Sequence, residues 1–488
     1  MTYLGIDIGT SSVKAVLIGE DQAVLATASV GLGVSRPQPG WSEQDPEDWW
    51  RASEAAIDAI AAEAPTALTR LRGIGLSGQM HGATLLDASH KVLRPAMLWN
   101  DTRAAAEAAS LQREHPEILD IIGNPVMPGF TAPKLMWLRA HEPRIFEQVA
   151  LVLLPKDYVR LHLTGEAVTD MSDASGTAWL DVGARRWSER ALALTGLSEV
   201  QMPRAVEGSA AGGMLRAELA QRWGISGPVV VAGGGGDNAT SACGIGAVAP
   251  GSAFVSLGTS GVLFASTERF APNVEQAVHA FCHAVPDTWH QMGVILSASD
   301  SLEWLSRLLV APVPELISAL GERVERPSSV LFAPYLSGER TPHNSARLRG
   351  GFAGLGQEAD RVSMTQGVLE GVAFAFRDCL DALSSAGTRV ERAWAVGGGA
   401  RSRLWLQIVA DVLGLPIDVP DGAEIGGAFG AARLAICAAG EGAWREVMAP
   451  PARAATLEPR PALREAYAEV LTRWRGLAPA LEQVAAPS

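Results

Sequence analysis

Cysteine is scarce in this chain, and the four that occur (Cys243, Cys282, Cys379 and Cys437) are widely spaced with no Cys-x-x-Cys pair. That speaks against a disulfide framework or a zinc site and for reduced thiols in the cytoplasm. Basic charge is also short. Lys and Arg number 40 against 53 Asp and Glu, a net charge of −13, which excludes the basic face of a general nucleic-acid binder. No run of like charges marks a tail. The amino terminus passes directly into an apolar strand pattern, so no signal peptide is expected. The weakly charged stretch 227–267 comes nearest to a membrane span, but its glycines, Pro228, Pro250 and Asp237-Asn238 break it into strands and turns. Two common phosphate signatures are missing as well. No G-x-x-x-x-G-K-[ST] occurs, and the glycine-rich turns do not follow G-x-G-x-x-G, so neither a P-loop nor a Rossmann site is expected.

What is present is a globular composition, 48% hydrophobic and 19% charged, in 488 residues. That length is too great for one core and suits two large domains. One short phrase occurs twice: residues 5–14 read GIDIGTSSVK and residues 254–263 read FVSLGTSGVL. Each is an apolar run, Gly-Thr-Ser and a second apolar run, the pattern of a β-hairpin with a tight turn. Glycine lets a ligand approach the backbone, and hydroxyls beside turn N–H groups suit phosphate oxygens. Two such hairpins half a chain apart predict two domains of one ancestry holding a polyphosphate between them. Asp7 in the first copy stands where the second has Ser256. One half thus keeps a carboxylate suited to magnesium, and the other offers neutral donors.

Around the hairpins, strand and helix signals alternate. Asp45-Pro46 reads as an N-cap followed by proline at the first helical position, opening a helix with Trp50, Ile57 and Ile60 on one face. Residues 73–76, 149–154 and 228–232 read as strands. The first runs into Ser77-Gly78-Gln79-Met80-His81-Gly82, and the third into four glycines and Asp237-Asn238. In the second half a long helix follows Asp360, with Val362, Thr365, Leu369, Val372, Phe376, Leu380 and Leu383 at helical spacing. Trp394-Ala395-Val396 leads into Gly397 to Arg401, which opens a helix carrying Leu404, Ile408 and Val412 and closed by Gly414. Another helix is expected near Glu424, and one or two surface helices past residue 440. Such strand-to-glycine-to-helix junctions put ligands at the carboxyl ends of strands, beside helix N-termini.

Asp-x-Gly-Thr hairpins repeated in two halves resemble the actin-like ATPase superfamily, and longer segments narrow the choice. PGFTAPKLMWLRAHEP (128–143) and GFAGLGQEADRVSMTQGVLEGVAFAFRD (351–378) resemble the two signatures of the FGGY carbohydrate kinases. WSEQDPEDWW (41–50), SGQMHGATLLD (77–87), WNDTR (99–103), LLPKDY (153–158), DMSDASGTAWLDV (170–182) and PYLSGERTPHN (334–344) are similar to that family's bacterial xylulose-phosphorylating branch. The likeness runs in order from about residue 3 to about residue 440, with Phe429 a small departure where the family more often has leucine. It implies an α/β fold of two ribonuclease-H-like domains flanking a deep cleft, residues 1–246 holding mainly sugar and residues 247–488 mainly ATP. The implied reaction is phosphorylation of D-xylulose to D-xylulose 5-phosphate with ATP and Mg2+, in the cytoplasm, with no nucleic-acid or membrane partner. A homodimer is one expectation for its assembly. Two alternatives stay open: a kinase for another ketose or polyol (ribulose, gluconate or glycerol), or an actin-like nucleotide-driven switch without an acceptor.

The resemblance also implies site residues, each with a plainer reading beside it. Asp7 is expected to hold magnesium near ATP, or else to bond its own turn. Gly9, Thr10, Ser11, Ser12 and Lys14, with Gly258 and Thr259 of the second hairpin, are expected to receive phosphate oxygens; the hydroxyls could equally serve the hairpin and Lys14 be solvated. Asp237 matches the family's catalytic base, with Asn238 beside it on the sugar, though Asp-Asn here also fits a helix N-cap. The preceding glycines make sense where a sugar approaches the backbone, and the carboxyl pKa need not leave its ordinary value of about 3.9. Gln79, Met80 and His81 are assigned to sugar, against simple packing. Trp99, Asn100 and Asp101 offer a further sugar-binding set, while Asp101 with Arg103 could be a structural ion pair. Gly398, Gly399, Ala400 and Arg401 are implied to lie beneath adenosine, against a plain tight connection. Glu339, Arg340 and His343 carry no assigned role.

Overall fold

The computed structural model describes residues 1–422 and 426–484. Both hairpins form, and the repeat extends well beyond them. In the first half, β1 (Thr2–Ile8), β2 (Ser12–Gly19), β3 (Val24–Gly31), β4 (Leu71–Gly78), β5 (Ala211–Met214) and β6 (Val230–Ala232) line up as β5-β6-β4-β1-β2-β3. In the second half come β7 (Ala253–Leu257), β8 (Gly261–Thr267), β9 (His279–Cys282), β10 (Trp289–Ile295), β11 (Ala393–Val396), β12 (Ile417–Pro420) and β13 (Arg453–Leu457). They line up as β9-β10-β8-β7-β11-β12-β13. The two sheets share one pattern: an antiparallel meander (β1-β2-β3 and β7-β8-β10), two parallel strands beside its first member (β4 and β6, β11 and β12), and an antiparallel edge (β5 and β13). Parallel neighbours require crossover connections, which here are helical. The carboxyl ends of the central strands therefore collect turns and helix N-termini.

The helices that matter for the site are α1 (Pro46–Glu63), α2 (Asp237–Ile245), α3 (Ser299–Leu309), α4 (Arg361–Ser385), α5 (Arg403–Leu413), α6 (Gly427–Ala438) and α7 (Pro461–Arg475). α1 begins as expected, with the Asp45 carboxylate accepting from the Glu47 N–H at 3.0 Å and Pro46 in the first turn. Its buried stripe runs through Trp49, Ala56, Ile57 and Ile60; Trp50, one residue round the helix, is only half-buried and stacks on His162. α4 starts at the Asp360 cap and buries the expected positions from Thr365 to Leu383, with Val362 half-buried at its open end. The helix expected near Glu424 has its first described residue at Gly427; Glu424 itself lies outside the described residues. Past residue 440 the chain does more than the surface helices expected of it. β13 closes the second sheet, and α7 buries Tyr467, Val470, Leu471 and Trp474, whose indole N–H donates to the Phe332 carbonyl at 2.7 Å. Among the described residues no helix is long and apolar enough to cross a membrane.

The halves exchange their closing helices. α6, from the second half, lies on β1 and β4 of the first sheet. It lies so close that a Cβ on Gly5 would stand 1.8 Å from the Ala428 carbonyl oxygen, and one on Gly75 would stand 1.7 Å from that of Ala431. α2, from the first half, sends Ala242 and Ile245 into the apolar cluster of Phe254, Phe264, Phe281 and Met292 on the second sheet. The two helices cross where a Cβ on Gly430 would stand 1.8 Å from the Thr240 carbonyl oxygen. Arg433 of α6 donates to the Cys243 and Gly244 carbonyls at 3.0 and 3.2 Å, satisfying the negative end of α2. Gly75→Ala should therefore lower the stability by about 1–3 kcal/mol or more through overpacking, read as a lower urea midpoint. Gly33→Ala, whose Cβ meets nothing within 4 Å, should leave the midpoint in place. Equal midpoints for the two variants would contradict the close crossing.

Candidate active site

The first hairpin turn closes through the Gly9 N–H, which donates to the Ser12 carbonyl at 3.0 Å. A chain of polar groups holds it from below. The Thr10 hydroxyl donates to Gln79 Oε1 at 3.0 Å and accepts from Trp99 Nε1 at 3.1 Å. Gln79 Nε2 donates to Gln44 Oε1 at 2.9 Å, and Gln44 Nε2 returns to the Thr10 carbonyl at 2.7 Å. Gln79 is buried, at 2% exposure, and spends its amide on the turn; it does not line the cavity that holds Met80 and His81. Ser11 is exposed at the tip of the turn, and Ser12 opens β2. Lys14 is exposed and pairs with Asp7 in the β1–β2 register.

Asp7 ends β1 beside Ser77 of β4, whose hydroxyl donates to Asp7 Oδ1 at 2.7 Å. The carboxylate thus bonds a neighbouring strand and not its own turn. With Lys14, Gly427 and Phe429 it borders a cavity of about 320 Å³, and α6 comes so near that a Cβ on Gly427 would lie 3.0 Å from Asp7 Oδ1. Burial pushes the Asp7 pKa up, against the Ser77 hydrogen bond and the Lys14 charge.

On the other side of the cleft, the second hairpin turn is tied to the start of α3. The Gly258 and Thr259 carbonyls accept from the Ser299 and Ala298 N–H groups at 2.9 and 2.8 Å. Gly397 sits against this turn with φ of 90°, where a Cβ would stand 2.9 Å from the Leu257 carbonyl oxygen, so only glycine fits. Gly398 to Arg401 make one 3-10 turn, and α5 begins only after the Ser402 cap, later than the sequence suggests. Gly258, Thr259, Gly398, Gly399 and Arg401 then line one cavity of about 930 Å³, while Ala400 shares the 3-10 turn without lining it. Ser299, Asp300, Ile317 and Trp405 complete the walls. Sequence reasoning passed over the first three because nothing local distinguishes a helix start or an amphipathic turn that happens to border a pocket.

Asp237 is the first residue of α2, and the cap position falls to Gly236, so the capping reading fails. Its Oδ1 accepts from the Asn238 backbone N–H at 2.7 Å and from Asn238 Nδ2 at 3.0 Å. The glycines before it do not face a ligand. A Cβ on Gly233 would stand 2.2 Å from the Glu207 carbonyl oxygen, one on Gly234 2.3 Å from that of Leu76, and one on Gly236 2.9 Å from the Met80 side chain. Protein backbone at Gly233 and Gly234, and side chains at Gly235 and Gly236, fill the space that a sugar was expected to take. The loop is anchored by a wholly buried cluster: Lys156 Nζ lies 2.6 Å from Asp157, 2.9 Å from Asp170 and 3.2 Å from Asp173. Arg160 reaches the Gly233 carbonyl at 2.5 Å, and the Ser172 hydroxyl accepts from the Gly236 N–H at 3.1 Å. The LLPKDY and DMSDASG segments thus position the loop. The Asp237 pKa, expected at its ordinary value, is pushed up to about 6 by burial first and by the Asp7 charge second.

Asp237 and Asn238 open on a cavity of about 190 Å³ that also takes Met80, His81 and Trp99 from the first half, and His279, Phe281 and Arg340 from the second. Both halves build this cavity, where the sequence suggested mainly the first. His81 has φ of 70° and stacks on Phe130 at 4.8 Å. Its Nδ1 lies 2.6 Å from the Gly176 carbonyl, so Nδ1–H donates and Nε2 is left an acceptor. Burial, with the Lys134 charge second, pushes its pKa down to about 3, so the ring is neutral. Lys134 in turn donates to the His81 and Met97 carbonyls at 2.8 and 3.2 Å.

Of the Trp99 set, only Trp99 reaches the cavity. Asp101 is 1% exposed and accepts from the Ser42 N–H at 2.7 Å and from Arg103 Nε and Nη2 at 2.9 and 2.6 Å. Arg103 also meets Glu43 at 2.7 Å and lies 3.6 Å over the Trp41 ring. Asp101 therefore belongs to a structural ion pair, and half-buried Asn100 lies off the cavity wall with it. Asp101→Ala should cost about 3–5 kcal/mol, the usual loss when one partner of a buried pair is removed, and should leave the KM for sugar unchanged. A raised KM at wild-type stability would return Asp101 to the sugar.

Among the described residues no group of three or more His, Cys, Asp and Glu could by itself hold a metal. A divalent ion here would need ligands from a bound phosphate chain and water, the usual habit of magnesium. Asp7 and Asp237 fit that requirement, since burial raises the cost of ionising both, the Asp7 charge raises it further for Asp237, and a cation between them and a phosphate would relieve it.

Comparison with known proteins follows the same lines. The model of the N-terminal domain of the FGGY family of carbohydrate kinases matches residues 2–244, and that of its C-terminal domain matches residues 253–439. The xylulose kinase of Escherichia coli (strain K12) is 50% identical over 438 residues, covering 90% of each chain. A crystal structure of a xyloylose kinase from Brucella ovis is 57% identical, with a TM-score of 0.98 over 99% of this chain and 100% of that one. The xylulose kinase structure from Rhodospirillum rubrum is 30% identical, with a TM-score of 0.91 over 99% of both chains. Two matched domains, a duplicated sheet and a cleft floored by both hairpins together mean that the chain belongs to the FGGY family of carbohydrate kinases.

Proposed function

We propose that this enzyme transfers the γ-phosphoryl group of ATP to the C5 hydroxyl of D-xylulose, giving D-xylulose 5-phosphate and ADP. The observation that carries the reading is the placement of Asp237. It is a half-buried carboxylate on the wall of a small cavity built by both halves, near enough to Asp7 of the first hairpin for that charge to act on it. In this reading the sugar occupies the cavity of Met80, His81, Trp99 and Asn238. The adenosine lies in the larger cavity over Gly398, Gly399 and Arg401. The backbone N–H groups of Gly9 to Ser12, with Gly258 and Thr259, receive phosphate oxygens, and Lys14 stands by with its charge. The Asp237 carboxylate takes the C5 hydroxyl proton as that oxygen forms its bond to phosphorus and the bond to the ADP oxygen breaks. Phosphoryl transfer needs mostly positioning and charge stabilisation, which turns and one base can supply. Asp7 would hold Mg2+, which when bound would supply positive charge to the phosphate oxygens. The compartment this reading assigns is the cytoplasm, where ATP is at hand and the four free cysteines stay reduced. Assembly as a homodimer is carried as an expectation for light scattering to check.

The test is ATP consumption with Mg2+ and a panel of D-xylulose, ribulose, gluconate and glycerol. The largest kcat/KM is expected with D-xylulose, and almost no turnover without a sugar. Equal ATP use with and without acceptor would mean a nucleotide switch, and a stronger response to another panel member would name a different kinase.

Two further outcomes concern the base. Asp237→Asn keeps the size and the fold but cannot take a proton, so kcat should fall by about 10²–10⁴ while both ligands still bind; near-normal turnover would remove Asp237 from the mechanism. The base works only when ionised, and its pKa of about 6 lies above the ordinary range, so kcat/KM should fall as pH drops through about 6. An acid limb near 4 would mean that the carboxylate is not desolvated as described.

A further inference from the structure

Arg340 is a half-buried cation with no carboxylate within salt-bridge distance among the described residues, though the charge of its chain neighbour Glu339 acts on it. Arg103 meets Asp101 and Glu43, and Arg160 lies beside Asp157, whereas buried Arg433 meets no carboxylate but spends its donors on the Cys243 and Gly244 carbonyls and the Gln22 amide oxygen. Among the described residues, the Arg340 guanidinium has one side-chain hydrogen bond, from Nη1 to His279 Nε2 at 3.2 Å. It borders the sugar cavity from the second half of the chain. Its loop is stitched to β10: the Thr341 N–H donates to the Val294 carbonyl at 3.0 Å, the Thr341 hydroxyl accepts from the Val294 N–H at 3.0 Å, and Glu339 Oε1 accepts from the Leu296 N–H at 2.9 Å. A half-buried guanidinium with most of its donors unspent is costly to keep on a tethered loop. A ligand that needs its donors would explain it.

His279 fixes where those donors lie. The Asn124 amide nitrogen donates to the Ile122 and Ala280 carbonyls at 2.6 and 2.9 Å, so its oxygen faces the Ala280 N–H at 3.2 Å and His279 Nδ1 at 2.9 Å. Nδ1–H of His279 therefore donates, and Nε2 accepts from Arg340. His279 is fully used in holding the guanidinium and has nothing to offer a sugar. Elsewhere in the cavity the free groups are acceptors. Asp237 accepts, and His81 presents Nε2 because its Nδ1–H is spent on Gly176. Trp99 Nε1 is committed to Thr10 and one hydrogen of Asn238 Nδ2 to Asp237, while the Ser260 hydroxyl, which can donate or accept, also lines the cavity. Arg340 is thus the donor-only group with N–H bonds to spare. Its charge acts on His81, on His279 and on its chain neighbour Glu339.

A ketose differs from a polyol by one oxygen that can only accept. A hydroxyl at that place, among donors, would have no acceptor for its own proton. We propose that Arg340, held by His279, is the specificity-determining residue that donates to the C2 carbonyl oxygen of the sugar and selects ketose over polyol. The assignment rests on the xylulose reading above, which puts C5 at Asp237 and so C2 at the Arg340 end.

The experiment measures turnover and calorimetric Kd for D-xylulose and for xylitol, the polyol of the same chain length, in wild type, Arg340→Ala and Arg340→Lys. For Arg340→Ala, kcat/KM on xylulose should fall by about 10–100-fold, mainly through KM. The Kd for xylitol should change by less than about threefold and the melting temperature should hold. Arg340→Lys keeps the charge without the planar fork and should fall between. Added guanidinium should restore part of the xylulose turnover to Arg340→Ala. Equal losses on both ligands, or no loss on xylulose, would overturn the assignment. Failure of the wild type on xylulose would instead overturn the functional reading itself, and the assignment with it.

Discussion

The close crossing of α2 and α6 is the constraint on which the site depends. Each helix closes one half of the chain and packs on the other half's sheet, α6 against β1 and β4, α2 against the aromatic face of the second sheet. The approach is backbone to backbone, because Gly5, Gly75 and Gly430 leave no Cβ between them and their neighbours. Buried side chains could have filled that space and gained more apolar contact. What the glycines give instead is position. α2 begins at Asp237 and α6 is described from Gly427, which lies against Asp7, so the crossing sets both carboxylates relative to the hairpin turn. A shift of either helix along the other would move the proposed base and the proposed magnesium partner together.

Desolvation then sets the protonation states. Asp7 and Asp237 are both pushed upward by burial, and Asp237 further by Asp7, so the site holds two carboxylates that resist being ionised at once. Magnesium with its phosphate ligands would lower that cost, which couples readiness of the base to the presence of nucleotide. On the sugar side the same burial keeps His81 neutral and takes Lys134 down to about 7. Neutral imidazole is the useful form there, since only it has a ring nitrogen free to accept from a hydroxyl.

Much of this was legible in the sequence, and the failures share one physical cause. Hairpins, caps and amphipathic helices are local, so the two Gly-Thr turns, the Asp45 and Asp360 caps and the Gly414 stop could be read from neighbouring residues. The glycine run was seen, but for the wrong reason. Its neighbours are Glu207, Leu76 and Met80, all distant in sequence, and a local reading assigned the space to sugar. Gln79 and Asp101 were placed on the sugar because their segments end at the cleft; the partners that claim them, Thr10, Gln44, Ser42 and Arg103, were not in view as partners except for the last. The tail had a readable signal that went unused: Tyr467, Val470, Leu471 and Trp474 keep helical spacing within a polar stretch. Ser299, Asp300 and Arg340 had none, because a residue that reaches a cavity from another element leaves no pattern around itself.

The duplicated sheets also explain why the chemistry is lopsided. Both halves repeat a meander, two parallel strands and an edge, and both place a Gly-Thr turn at the same corner. A symmetric pair of carboxylates at that corner would set like charges against a triphosphate from both sides. Ser256 in place of the second aspartate avoids this. In the proposed reading the second half would meet nucleotide with a hairpin turn free of carboxylate and with the Arg401 cation, beside Asp300 and Glu303 of the same cavity, while Asp7 and Asp237 stand on the first half. Arg340 completes the division. It brings a positive charge of the second half to the wall of the cavity that Asp237 and His81 also line. Divergence of a few side chains on a repeated scaffold is therefore enough to make the two sides of the cleft chemically different.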